Sequence, residues 1–276
     1  MAWHGQPVVV DEILFKTQHG LIDQSLHSKL GAETTNGDGF GLGWYGTGEG
    51  AGLYRSTEPA WGDANLRQLA SHIESPLFLA HVRATSGTAI QQTNCHPFQH
   101  EDWLFVHNGV VGDFHHVRRD LMLAIDPSLF PELKGSADSE VLFLLALTFG
   151  LEQDVVGALE KTIGFVEATA ERHGVDKGFQ GSIGVSDGET LWAVRYSTER
   201  KSRTLFVSSD VDAVQAMYPG NERLALLKEG DRLIVSEPFA DLPGLWHEIP
   251  ESTATIVHPG GGHETAPFEP RAEASA

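Results

Sequence analysis

Between Asn36 and Gly46 the chain reads NGDGFGLGWYG, with glycine at every second position from Gly37 to Gly43. Alternation at a period of two is the signature of a strand. A strand with glycine at every second position lets another backbone or a ligand come close to it. Further strands follow from the pattern. Pro76 to Arg83 (PLFLAHVR) is bounded by proline and places Leu77, Leu79, His81 and Arg83 on one face. Trp103 to Asn108 (WLFVHN) ends in the turn signal Asn-Gly. Gly181–Val185 and Thr190–Tyr196 flank Ser186-Asp187-Gly188 as a hairpin, and Thr204–Ser208, Arg232–Val235 and Thr253–Val257 complete the set. Helical spacing marks Trp61–Ile73, Phe114–Asp126, a fully apolar Asp138–Phe149 and a long Asp154–His173. Strands and helices are segregated rather than strictly alternating. The expected class is therefore α+β, with helical layers on largely antiparallel sheet.

The 276 residues are enough for one large domain without disulfide or metal staples. No linker divides residues 1–258, which are expected to form one domain. Pro259 to Ala276, with three consecutive glycines and several prolines, reads as a mostly disordered tail. With 19 basic and 38 acidic residues the net charge is −19, which repels phosphate backbones and anionic membranes. Nucleic acid and membrane are thus not expected as partners. No apolar run approaches the roughly 20 residues of a membrane span, and no signal peptide is evident. The single cysteine, Cys95, excludes an internal disulfide and fits a reducing cytoplasm.

Polar groups gather in four short segments: HVRAT (His81–Thr85), NCHPF (Asn94–Phe98), HNG (His107–Gly109) and SADSE (Ser136–Glu140). Arg83 carries a planar fork that suits a substrate carboxylate, or else pairs with one of the many acids. The Asn108 amide and the Gly109 N–H can converge as an oxyanion-hole pair, or form a plain hairpin turn. Asp138 opens a helix, either as an N-cap or as a partner for a substrate ammonium group. Cys95 and His96 are adjacent on an extended segment and face opposite ways, so Cys95 reads as a small buried residue rather than a nucleophile. The histidines at 96, 100, 107, 115 and 116 match no metal-ligand spacing, and neither a metal nor a cofactor is expected.

Order and spacing are more specific than any one segment. HVRATSG, TNCHPF, WLFVHNGVV and ADSE resemble, in sequence, the motif run of the class II (N-terminal nucleophile) glutamine amidotransferases. The opening HGLIDQSLHSKLGAETTNGDGFGLGWYG resembles the stand-alone branch that includes γ-glutamyl hydrolases of glutathione breakdown and ergothioneine synthesis. The resemblance covers residues 2 to 257. It implies a four-layer αββα sandwich and cleavage of the γ-amide of glutamine or a γ-glutamyl compound. It implies Arg83 on the substrate α-carboxylate, Asp138 on the α-ammonium group, and Asn108 with Gly109 as the oxyanion hole. It further implies that Thr85 and His107 line the pocket, that the small-molecule partner is glutamine or a γ-glutamyl compound, and that a synthase or peptidase-like subunit is a possible protein partner.

That chemistry depends on a cysteine exposed as the first residue after Met removal. Its thiolate attacks the γ-carbonyl and its own α-amine, with a pKa near 8, serves as base. This chain starts Met1-Ala2-Trp3-His4-Gly5, with no cysteine at either of the first two positions. Relatives begin with a pattern like Met-Cys-Arg-Trp-Leu-Ala-Tyr-x-Gly, whose last four residues line up with Ala2 to Gly5. On that alignment the chain begins a few residues late, inside the first strand; on another, Ala2 replaces the cysteine. Two functions stay open: an amidotransferase-type hydrolase presented without its nucleophile, and an inactive γ-glutamyl-binding or regulatory subunit.

Overall fold

Two antiparallel sheets lie face to face in the computed structural model, which describes residues 1–30, 34–85, 87–209, 211–217, 227–239 and 243–271. The first sheet holds β1 (Ala2–Val9), β2 (Phe40–Tyr45), β3 (Gly52–Ser56), β4 (Glu74–Val82), β9 (Phe206–Ser208), β10 (Arg232–Val235) and β11 (Trp246–Glu248). Its order is β11-β9-β10-β1-β4-β2-β3. The second holds β5 (Phe98–His100), β6 (Trp103–Val111), β7 (Phe179–Ser186), β8 (Leu191–Ser197), β12 (Thr253–Val257) and β13 (His263–Pro267), in the order β13-β12-β8-β7-β6-β5.

Alternation along the strands sorts the core into three slabs. Leu77 and Leu79 of β4 meet Leu104 and Val106 of β6 between the sheets. Phe78 and Ala80, one residue out of phase, turn outward onto α1 (Val10–Leu14), α2 (Leu21–Leu26) and α3 (Ala64–Ala70). Phe105 of β6 and Val185 of β7 turn the other way, onto α4 (Phe114–Leu123), α5 (Asp138–Thr148) and α6 (Val155–Arg172). The result is the expected α+β, four-layer αββα sandwich. The apolar helix α5 is buried from Ser139 to Ala146 because it lies against α4, α6 and β6 at once. A short α7 (Val211–Met217) follows β9. No helix among the described residues is long and apolar enough to cross a membrane.

The bare face of β2 has an occupant. A Cβ on Gly41 would sit 2.0 Å from the His96 carbonyl oxygen, and one on Gly43 2.8 Å from Leu104 Cδ1. At Gly39, φ is +114° and a Cβ would meet Cys95 Sγ at 2.7 Å. The alternate glycines thus seat the Cys95–Pro97 segment against the first sheet.

Two expectations need correction. The Asn-Gly pair is not a turn: β6 runs on to Val111, with Asn108 opposite Ser182 and Gly109 opposite Gly181. Nor is the stretch after Pro259 a disordered tail. The glycines form a turn, with Gly260 and Gly261 at positive φ, and β13 pairs with all of β12 from Thr253–Pro267 to Val257–His263. Phe268 is 1% exposed and packs edge-on against Tyr196. The pairing satisfies an edge strand and the phenylalanine buries its ring, which offsets the ordering cost that the glycines suggest. Residues 272–276 lie outside the described residues.

Candidate active site

A cavity of about 740 Å³ opens where β4 and β6 run toward the start of α5, and Arg83, Thr85, His107, Asn108, Gly109 and Asp138 all line it. Asp138 is the first residue of α5, and the extended Ala137 precedes it in the capping position. Its Oδ1 accepts the Ser139 N–H at 2.8 Å and its Oδ2 accepts the Val111 N–H at 2.9 Å. The second bond fixes which edge of β6 faces the site. Gly112 donates its N–H to Gly178 on the far side, so amides alternate along the strand. The Gly109 N–H therefore shares the Val111 edge, away from β7 and toward the cavity. Asn108 falls on the inter-sheet face with Val106, and lines both this cavity and a neighbouring one.

Arg83 follows directly on β4 and is 6% exposed. Its Nη1 donates to the Asp38 carbonyl at 3.3 Å, and its Nη2 donates to Thr88 Oγ1 at 2.5 Å. Thr85 holds this loop: its N–H donates to Asp38 Oδ2 at 2.8 Å and its Oγ1 accepts from the Thr88 N–H at 3.1 Å. Among the described residues neither Arg83 nor Asp138 belongs to an ion pair.

Residues 19–206 match the family described as glutamine amidotransferases class-II. The chain belongs to that family. It is 30% identical to the probable glutamine amidotransferase DUG3 of Saccharomyces cerevisiae, over 91% of this chain and 79% of that one. It is 28% identical to the gamma-glutamyl-hercynylcysteine sulfoxide hydrolase of Mycolicibacterium smegmatis, over 91% of each. Among solved structures it resembles a glutamine aminotransferase class-II domain protein from Silicibacter pomeroyi, with a TM-score of 0.71, 32% identity and 98% of both chains covered. The glutamine phosphoribosylpyrophosphate amidotransferase of B. subtilis shares the fold, at a TM-score of 0.64 and 12% identity, with 97% of this chain and 48% of that one covered. The family and these relatives are amide-cleaving enzymes.

The cavity also contains two histidines to which the sequence assigned no role in it. The rings of His81 and His96 lie 4.2 Å apart between centroids, tilted by 36°, and both line the cavity with His107. Burial lowers the His81 pKa to about 3, and nearby positive charge adds to the shift. Burial likewise drives His96 well below the usual histidine value and lowers His107. All three are neutral at neutral pH. The His107 Nδ1 lies 2.9 Å from Ser139 Oγ, which is 3.2 Å from Asp138 Oδ1. The other ring nitrogen, Nε2, is buried, and a hydrogen bond with the Gln180 backbone works against the burial shift. Glycine at 109 and 181 makes room for it, since a Cβ there would lie 2.6 Å and 2.5 Å from Nε2. The one signal for His81 was its place on the face shared with Arg83.

Cys95 lies outside this cavity, fully buried, with Sγ donating to the Ser56 carbonyl at 3.3 Å. Burial raises its pKa, the opposite of an activated thiol. At the cavity rim Asp113, His115 and His116 bring one possible metal-ligand atom each within 4.8 Å of one another. Asp113 and His115 also line the cavity.

Proposed function

We propose that the cavity holds the zwitterionic head of glutamine or a γ-glutamyl amide, as the binding half of a γ-amide hydrolase. The observation that carries this reading is a pair of opposite charges that are hydrogen-bonded and yet have no ion partner among the described residues. Arg83 and Asp138 line one cavity, and no ion pair among the described residues neutralises either. Arg83 is buried and Asp138 half-buried, and a charge drawn out of water without a counter-charge is costly, so a fitting ligand supplies one carboxylate and one ammonium group. An α-amino acid has both on one carbon. Arg83 takes the α-carboxylate and Asp138 the α-ammonium. The Asn108 amide and the Gly109 N–H face the γ-carbonyl oxygen, where negative charge develops when the carbonyl is attacked. Thr85 shapes the Arg83 loop, and His107 supports Asp138 through Ser139. The mycobacterial relative, named for a γ-glutamyl substrate, supports a γ-glutamyl amide as the bound class.

The nucleophile is a separate question. A cysteine thiolate would add to the γ-carbonyl carbon, the amine would leave with a proton from the α-ammonium, and water would release glutamate from the thioester. The sequence in hand carries no cysteine except Cys95, which is outside the cavity. The proposal is that this polypeptide, Met1 to Ala276, binds the head without turning it over. β1 pairs with β4 at Ala2–Leu79, and the Met1 amino group donates to the Ala80 carbonyl at 2.9 Å. β4 continues through His81 and Val82, which line the cavity. Residues joined ahead of Met1 in the same register would follow that edge into the site, at roughly 3.3 Å per residue. The test is a chain carrying Cys-Arg-Trp, freshly exposed, before Met1. The expected result is release of glutamate from glutamine by the prefixed chain and none by the unprefixed one. Turnover by the unprefixed chain would overturn this account of the nucleophile. A folded, prefixed chain that binds glutamate and never turns over would favour the binding-subunit reading.

A further inference from the structure

We infer that Arg203 forms a second anion subsite, selecting γ-glutamyl compounds whose amine portion itself carries a carboxylate. This rests on the γ-glutamyl reading above and extends it to the other side of the scissile bond.

Arg203 lies in the connection between β8 and β9 and is half-buried. It lines the head cavity and also a neighbouring cavity of about 100 Å³, which Met1, Ser182 and Gly184 help to line. The two sets of walls differ in an informative way. Arg83, Thr85, Gly109 and Asp138 line only the head cavity, whereas Asn36, His81, Val82, Asn108 and Arg203 line both. The junction thus includes Asn108, the residue assigned to the scissile carbonyl. Whatever is bonded to the γ-carbon lies at that junction, and Arg203 is the cation there.

Arg203 is also unspent. Among the described residues its guanidinium makes no hydrogen bond and no ion pair. By contrast Arg195, on the neighbouring strand, is tied to Glu248 at 2.7 Å. With the head's own carboxylate assigned to Arg83 and its ammonium to Asp138, Arg203 remains without an anion. Glutamine, which ends in NH2, offers none. A γ-glutamyl amino acid offers the α-carboxylate of its second residue, two bonds from the scissile nitrogen. A guanidinium fork matches a carboxylate with two parallel hydrogen bonds.

The test is calorimetric, on the full chain, with three probes: L-glutamine, γ-glutamylmethylamide and γ-glutamylglycine. The last two differ chiefly in one carboxylate. γ-Glutamylglycine is expected to bind about tenfold tighter than the methylamide, from one charge-assisted contact in a partly solvated site. Arg203→Gln is expected to remove that preference, and Arg203→Lys to keep part of it. Equal affinities in the unsubstituted chain, or a preference that survives in Arg203→Gln, would overturn the assignment of Arg203 while leaving the head site intact. Failure of all three probes to bind would instead remove the γ-glutamyl reading, and the subsite with it.

Discussion

A guanidinium buried with no carboxylate partner among the described residues, and a carboxylate facing the same cavity with no cation among them, are the residue-level facts that shape this site. The three neutral histidines around them set a pH dependence. Burial depresses His81 to about 3 and lowers His96 and His107, whereas in the unfolded chain each titrates near its ordinary value. Below about pH 6.5 the unfolded state therefore binds more protons than the folded one, and stability falls as the pH falls. The loss continues toward the folded value of His81. Thermal unfolding followed from pH 7.5 to 5 is expected to show a decreasing midpoint, with a shallower slope in His81→Gln. A flat profile above pH 5 would contradict the buried, neutral assignment. Arg83, Asn108, Gly109 and Asp138 were legible in the sequence because each sits in a short motif whose order is distinctive. The His81–His96 ring contact, and the place of Arg203 on the same two cavities as Asn108, were not legible. They bring together segments separated in sequence, and no local period records them.

The glycine strand shows what an element transmits to the site. β2 was legible as a strand with a bare side, and its partner, the Cys95–Pro97 segment, appears only in three dimensions. Gly41→Ala would drive a methyl group to within 2.0 Å of the His96 carbonyl oxygen, a backbone atom that cannot swing aside. We expect a loss of about 3 kcal/mol or more in chemical denaturation, at the upper end of overpacking costs. Gly48→Ala, where a Cβ would meet nothing within 4 Å, is the control and should change stability by less than about 0.5 kcal/mol. Comparable stabilities for the two variants would show that β2 does not pack as described. At the other end of the chain, β13 belongs to the second sheet rather than to a tail. Truncation before His263 removes its pairing with β12 and uncovers the place of Phe268. The truncated chain is expected to lose about 3 kcal/mol or more, as buried phenylalanines do on deletion. An unchanged denaturation midpoint would restore the tail reading.

At the scale of the whole molecule, the sandwich determines where the charges meet. The αββα layering was legible as α+β because strands and helices fall in blocks, while the order of strands was not, since β10, β1 and β4 are neighbours in the sheet and far apart in the chain. That order brings the end of β4, with Arg83 after it, beside the end of β6 and the start of α5. The central claim is that the cavity so formed reads a zwitterion. Calorimetry with L-glutamate and with glutarate, which lacks only the ammonium group, tests it most directly. The account predicts that glutarate binds at least about tenfold more weakly than L-glutamate, and that Asp138→Asn erases the difference by weakening L-glutamate alone. Glutarate binding as tightly as L-glutamate, or an Asp138→Asn variant that still discriminates between them, would contradict it.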